Sequence, residues 1–161
     1  MPVTKKAKQA GTVIVAVVLG ALVFAYYRPS TNTGYIDPVD RALVLRGQQV
    51  YANNCAACHG AHLQGQPNWR DRKSNGRLPA PPHDISGHTW HHPDAVLLDL
   101  VENGLVPGVT APEGYESDMP AFKGKLSDQD IVAVIAYIKS FWPSQALAAQ
   151  KEVTQEHAAP R

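Results

Sequence analysis

CAACHG, residues 55–60, contains both cysteines of the chain and sets His59 directly against the second of them. Two neighbouring thiols can serve a disulfide, a zinc site, a thiol–disulfide exchange pair or a covalent cofactor attachment. A structural zinc needs four protein ligands, usually from two cysteine pairs, and this chain has one pair. An exchange pair sits between a strand and a helix in an α/β pattern, which the sequence lacks. A disulfide between Cys55 and Cys58 would close almost no loop and restrain little. None of these uses explains His59.

Covalent attachment of haem uses all three residues. On a helix, positions 55 and 58 lie one turn apart on one face. Two thiols so placed can add across the two vinyl groups on one porphyrin edge, and His59 then offers its imidazole to the iron. The other face of the iron needs a second ligand. The chain has two methionines, and Met1 precedes the N-terminal apolar run described below. Met119, in the proline-stiffened stretch Asp118-Met119-Pro120-Ala121-Phe122, is expected to bring its thioether to the iron. Its competing use is as a filler of a core gap.

The flanking pattern is helical, with 13 prolines and 12 glycines punctuating it. Asp37 and Pro38 are expected to open a first helix, VDRALVLRGQQVYANN, with Val39, Leu43, Gly47, Val50 and Tyr51 on one face. Residues 61–87 read as loop, including a Leu-Pro-Ala-Pro-Pro run that denies backbone donors. His92-Pro93-Asp94 signals a second helix that Gly104 ends. After a second loop over 105–125, LSDQDIVAVIAYIKSFW is the clearest helix: Ser127 caps it, and Ile131, Val134, Ile135 and Ile138 line one face. Trp142-Pro143 stops it. The Ala- and Gln-rich tail, 143–161, reads as a frayed or disordered helix.

The N-terminus carries Lys5, Lys6 and Lys8 and then an uncharged apolar run over 10–27, AGTVIVAVVLGALVFAYY, closed by Arg28. Eighteen helical residues span about 27 Å, close to the roughly 30 Å of a bilayer's hydrocarbon core. The lysines predict residues 1–9 in the cytoplasm and the rest exported. A cleaved signal peptide is the rival, with Val23-Phe24-Ala25 as a processing site; the length of the run favours an uncleaved anchor. Residues 28–37 form a polar linker. Residues 29–161 carry eleven Lys and Arg against fourteen Asp and Glu, a net charge of −3 with no basic stripe for nucleic acid.

With these residues in place the chain resembles a membrane-anchored class I, monohaem cytochrome c. The likeness covers about residues 38–142: a first helix with Gly47 and Tyr51, CAACH at 55–59, a middle helix, a loop bearing Met119 and a last helix with Tyr137. It implies an all-α fold in which the first and last helices cross around one haem c, Gly47 and Tyr137 touching at the crossing. It also implies one-electron transfer rather than catalysis, between membrane partners such as a quinol-oxidising complex or a terminal oxidase. The expected setting is the bacterial inner membrane, with the haem domain in the periplasm. Alternatives are a fixed accessory haem subunit of a larger membrane oxidoreductase, and a haem- or copper-handling protein. The family commonly has Gly-Pro-x-Leu after the haem motif. Here the nearest match is Ala80-Pro81-Pro82-His83, so Pro81 is the expected carbonyl acceptor for the His59 Nδ1 proton, and the packing role of position 83 is open.

HDISGHTWHH, residues 83–92, holds four of the seven histidines, His83, His88, His91 and His92. Such clusters suit copper or zinc; the plainer expectation is capping and hydrogen bonds to haem propionates, with Trp90 as a further propionate donor. The LPAPPHDISGHTWHH stretch also resembles a subgroup of small bacterial cytochromes c sometimes associated with copper-handling proteins. Between Arg77 and Lys123 there is no Lys or Arg, and Asp94, Asp99, Glu102, Glu113, Glu116 and Asp118, among the acids there, form an expected acidic collar that would steer a basic partner. Arg70, Arg72, Lys73 and Arg77 form an opposing group, suited to propionates or an acidic partner.

Overall fold

Asp40 starts the first helix, α1 (Arg41–Asn54), its carboxylate accepting from the amides of Ala42 and Leu43 at 3.0 and 3.1 Å. The start expected at Asp37–Pro38 is three residues early. Asp37 instead accepts from Val39 N in a turn, and Val39 is 81% exposed rather than on the packed face. The buried side of α1 is Gly47, Val50 and Tyr51. The computed structural model describes residues 34–159. The expected cytoplasmic stretch, the anchor over 10–27 and most of the linker lie outside them. Among the described residues no helix is long and apolar enough to cross a membrane.

A single turn, α2 (Ala56–His59), follows α1, and a 3-10 turn (Thr89–His91) precedes α3 (Asp94–Asn103). Gly104, at φ 75°, ends α3. α4 (Asp128–Lys139) opens on a reciprocal cap in which Ser127 and Asp130 satisfy each other's backbone amides. Its Ile131, Val134, Ile135 and Ile138 are all buried. The described residues contain no strand, only isolated bridges at Pro107–Ala111 and Lys123–Leu126.

α1 packs on α4 more extensively than any other helix pair. Gly47 permits this: a Cβ there would fall 1.9 Å from the Ala133 carbonyl oxygen and 2.8 Å from Tyr137 Cβ. The expected meeting of Gly47 with Tyr137 is therefore present, and the Tyr51 and Tyr137 rings lie 5.3 Å apart beside it.

The tail differs from its expectation. Ser144–Ala158 is a well-formed helix, α5, packed against the 3-10 turn, with Ala146, Gln150 and Thr154 buried. Its inner face is small and polar rather than apolar, so hydrophobic periodicity does not reveal it. The partner of that polar face is Asp94, fully buried at the start of α3. Both Asp94 carboxylate oxygens accept from Lys139 Nζ at 2.8 Å, Gln150 Nε2 donates to Oδ1 at 2.8 Å, and the Ile36 amide donates to Oδ2 at 2.6 Å. The Asp94 amide in turn donates to Thr154 Oγ1. Lys139, also 0% exposed, lies 3.7 Å from the centre of the Tyr35 ring. Burial pushes its ammonium pKa down to about 8 against the opposing pull of Asp94. One carboxylate thus ties the entry of the chain to α3, α4 and α5.

Candidate cofactor site

α1 delivers the chain directly into the cysteines. Cys55 N donates to Tyr51 O and His59 N to Cys55 O, each at 2.9 Å, which winds Cys55, Cys58 and His59 into one turn that Gly60 terminates at φ 81°. The Tyr51 hydroxyl donates to Gly60 O at 2.9 Å and fixes that exit. Cys55 is half-buried and Cys58 exposed, and no bond joins them. Burial, with Cys58 adding to it, raises the Cys55 thiol to about 11. Thiol–disulfide exchange calls for a depressed thiol pKa instead.

His59 is buried, and its Nδ1 lies 2.8 Å from Pro81 O. A carbonyl only accepts, so Nδ1 carries the proton and Nε2 keeps a free lone pair. Burial also holds the imidazole below its usual pKa, against the pull of that hydrogen bond. The acceptor is set by close backbone packing. A Cβ on Gly65 (φ 67°) would come 2.5 Å from Pro82 N, and one on Gly87 would come 2.0 Å from Pro82 O. Only glycines let the chain pass on both sides of the Pro81–Pro82 pair.

His83 occupies the position the sequence left open. Its ring stacks on His59 with centroids 4.0 Å apart, and its Nδ1 pairs with Thr89 Oγ1 at 2.8 Å. Its backbone is pinned at both groups: His83 N donates to Leu63 O, and His83 O accepts from Trp142 Nε1. Burial lowers its pKa well below the usual range, leaving a neutral ring. Its histidine contact is with His59. His88, His91 and His92 lie together, the His88 ring 4.7 Å from His91 and 4.9 Å from His92. Among the described residues, no group of three or more His, Cys, Asp or Glu side chains is arranged to hold a metal ion.

Met119 sits half-buried in the loop that returns to α3, its amide donating to Ser117 Oγ at 3.0 Å. Trp90 stacks on His91 at 3.6 Å, and its Nε1 is buried with no hydrogen-bond partner among the described residues. A buried donor without an acceptor is costly, and a propionate would satisfy it. Two adjacent thiols and an imidazole with its lone pair free fit a covalently held haem, and the orphan donor fits a propionate. Cys55 and Cys58 would hold the porphyrin, and His59 and Met119 the iron.

The acidic collar is smaller than expected. Asp94 is buried in its own network, and Glu102 pairs with Lys123 at 3.2 Å. Glu116 meets Arg77, and Asp118 meets both Arg77 and Lys73. Part of the opposing basic group thus neutralises it within the molecule.

Residues 44–142 match the Cytochrome c family. The chain is 31% identical over 118 residues to a Cbb3-type cytochrome c oxidase subunit FixPc of Rhizobium leguminosarum bv. viciae, covering 73% of this chain and 33% of the relative. It is 30% identical over 106 residues to a gluconate 2-dehydrogenase cytochrome c subunit of Pantoea cypripedii, covering 63% of this chain and 21% of that one. A Cbb3-type cytochrome c oxidase subunit CcoP of Azospirillum brasilense is 30% identical over 99 residues, covering 62% and 28%. The chain thus spans about a third or less of the length of these relatives. No solved structure matches it. With the family matched across the helices and loops that build the site, the chain belongs to the cytochrome c family, and that membership implies covalently bound haem c.

Proposed function

We propose that this protein carries single electrons between redox partners at the bacterial inner membrane. One haem c is held through Cys55 and Cys58, with His59 and Met119 as its axial ligands. The observation that carries this reading is the His59 Nδ1 contact to Pro81 O at 2.8 Å, which reserves Nε2 for a metal beside two thiols. Bound haem supplies a one-electron couple, and methionine–histidine ligation favours a raised potential. The chain's own residues do the rest: His83 and Pro81 hold the His59 ring, and the Trp90 indole offers its proton to a propionate. An anchor over 10–27 would keep the domain in the periplasm near its partners and raise its effective concentration there.

The relatives named as oxidase and dehydrogenase subunits favour a fixed accessory subunit over a freely exchanging carrier, with a terminal oxidase or a quinol-oxidising complex as partner. Stable co-purification with such a complex from solubilised membranes supports the subunit; recovery of the protein alone supports the carrier. Met119→Ala tests the site. The expected result is loss of the methionine-ligated low-spin spectrum and a lower potential, with haem still covalently attached. An unchanged methionine signature would remove Met119 from the iron.

A further inference from the structure

The stretch before Met119 is held very differently from the stretch after it. Behind Met119, the backbone is stitched to the end of α3: Phe122 N donates to Val101 O at 3.1 Å and Lys123 N to Glu102 O at 2.8 Å. Ahead of it, the bonds of Tyr115 N to Pro112 O and of Met119 N to Ser117 Oγ stay within the loop. Polar contacts from residues 112–118 to the rest of the described fold run to one short turn. Arg77 reaches Asp118 through Nη1 and Glu116 through Nε and Nη2, Lys73 reaches Asp118 at 3.4 Å, and the Arg72 guanidinium lies 5.6 Å from the centre of the Tyr115 ring.

The turn that presents these cations is itself ordered. Lys73 N donates to Arg77 O at 2.8 Å, Gly76 N to Lys73 O at 2.9 Å and Arg72 Nη1 to Gly76 O at 2.6 Å. It continues into Ala80, paired with Gln66 through both its backbone groups, and then into Pro81, the acceptor for His59. A single set of ion pairs therefore spans from the segment that orients His59 to the residue next to Met119.

We infer that Arg77, with Lys73, is a positioning residue for the iron: its pairs with Glu116 and Asp118 brace the Met119 loop against the segment orienting His59, so that thioether ligation depends on ionic strength. The inference rests on Met119 being an axial ligand. The ion pairs are solvent-exposed, so they contribute little to global stability. But a loop whose leading half has little else to hold it responds to them locally.

The test uses the full haem-loaded chain and external imidazole as a competitor for the Met119 position. Arg77→Gln and Asp118→Asn should each bind imidazole about two- to fivefold more tightly at low salt, consistent with exposed pairs. The double variant should fall short of the combined single effects, because both remove one interaction. Arg77→Lys should recover part of the loss. At about 1 M salt, where charges are screened beyond roughly 3 Å, wild type and variants should converge. The unfolding midpoint should not move. Equal imidazole affinity at low salt, or a difference that survives high salt, would overturn the brace. Met119→Ala separates the failures: a methionine signature persisting there rejects the ligand assignment, whereas its loss alongside an inert Arg77→Gln rejects the brace alone.

Discussion

Lys139 and Asp94 pair in the dry centre of the domain, where four segments of chain meet; Arg77 and Lys73 meet Glu116 and Asp118 in water, between two loops. Both sets join segments far apart in sequence, yet the medium gives them different work. The inner pair has every charge matched by short hydrogen bonds and is shielded from ions. Removing one partner would strand a charge with no route to solvent. The outer set is cheap to open, screened by salt and suited to a segment whose position must adjust. The buried pair joins α3 to α4 and α5, and the exposed pairs end beside Met119.

The strongest way to break this contrast is Asp94→Ala, which strands the Lys139 ammonium and the Ile36 amide together. Denaturant unfolding should show a loss of about 3–5 kcal/mol, equal at low and high salt. A loss that shrinks with salt would mean the inner pair is wet, and the comparison would fall. Next in size is Gly47→Ala. Its methyl meets the Ala133 carbonyl rather than a yielding side chain, so helices α1 and α4 must part at a cost of about 1–3 kcal/mol. An unchanged midpoint would show that the crossing tolerates a side chain.

The smallest effect is set by pH at His92, two residues before Asp94 and accepting from Gln150 Nε2 through its carbonyl. Burial first, then His88 and His91, hold the His92 imidazole below its ordinary pKa. The folded state therefore takes up the proton less readily than the unfolded chain. The resulting stability is complete above the unfolded value of about 6.5 and is lost as pH falls through the lowered folded value. His92→Gln should flatten that acid slope in a series of melting curves while leaving the midpoint near pH 8 in place. A slope identical to wild type would assign the acid sensitivity elsewhere.

Most of the frame was legible in residue spacing. The α4 stripe of Ile131, Val134, Ile135 and Ile138, its Ser127 cap and the Gly104 stop are local signals, and the structure repeats them. CAACH and the Ala80-Pro81-Pro82-His83 run likewise pointed to His59 and its acceptor. What spacing did not convey is who pairs with a charge. Asp94 read as part of a run of surface acids, whereas Lys139, eight residues after Ile131 and four after Ile135, stands on their buried face. A cation in an apolar stripe is the signal that calls for a buried anion. Helix α5 escaped for the matching reason: Ala146, Gln150 and Thr154 repeat at helical spacing, but Gln150 and Thr154 bury hydrogen bonds rather than hydrocarbon. His83 in place of leucine gave no hint of its stacking on His59, since a neutral imidazole can pack as flatly as an apolar ring.

The convergence on Asp94 also bears on how this domain can be cut. A fragment trimmed to the family-matched span, 44–142, would retain Asp94 and Lys139 but discard Ile36, Gln150 and Thr154. Two donors to the carboxylate and the acceptor for the Asp94 amide would go with them, opening the pair to solvent from the side α5 now covers. A piece that keeps the whole network runs from Tyr35 at least to Thr154, longer at both ends than the part by which the domain is recognised.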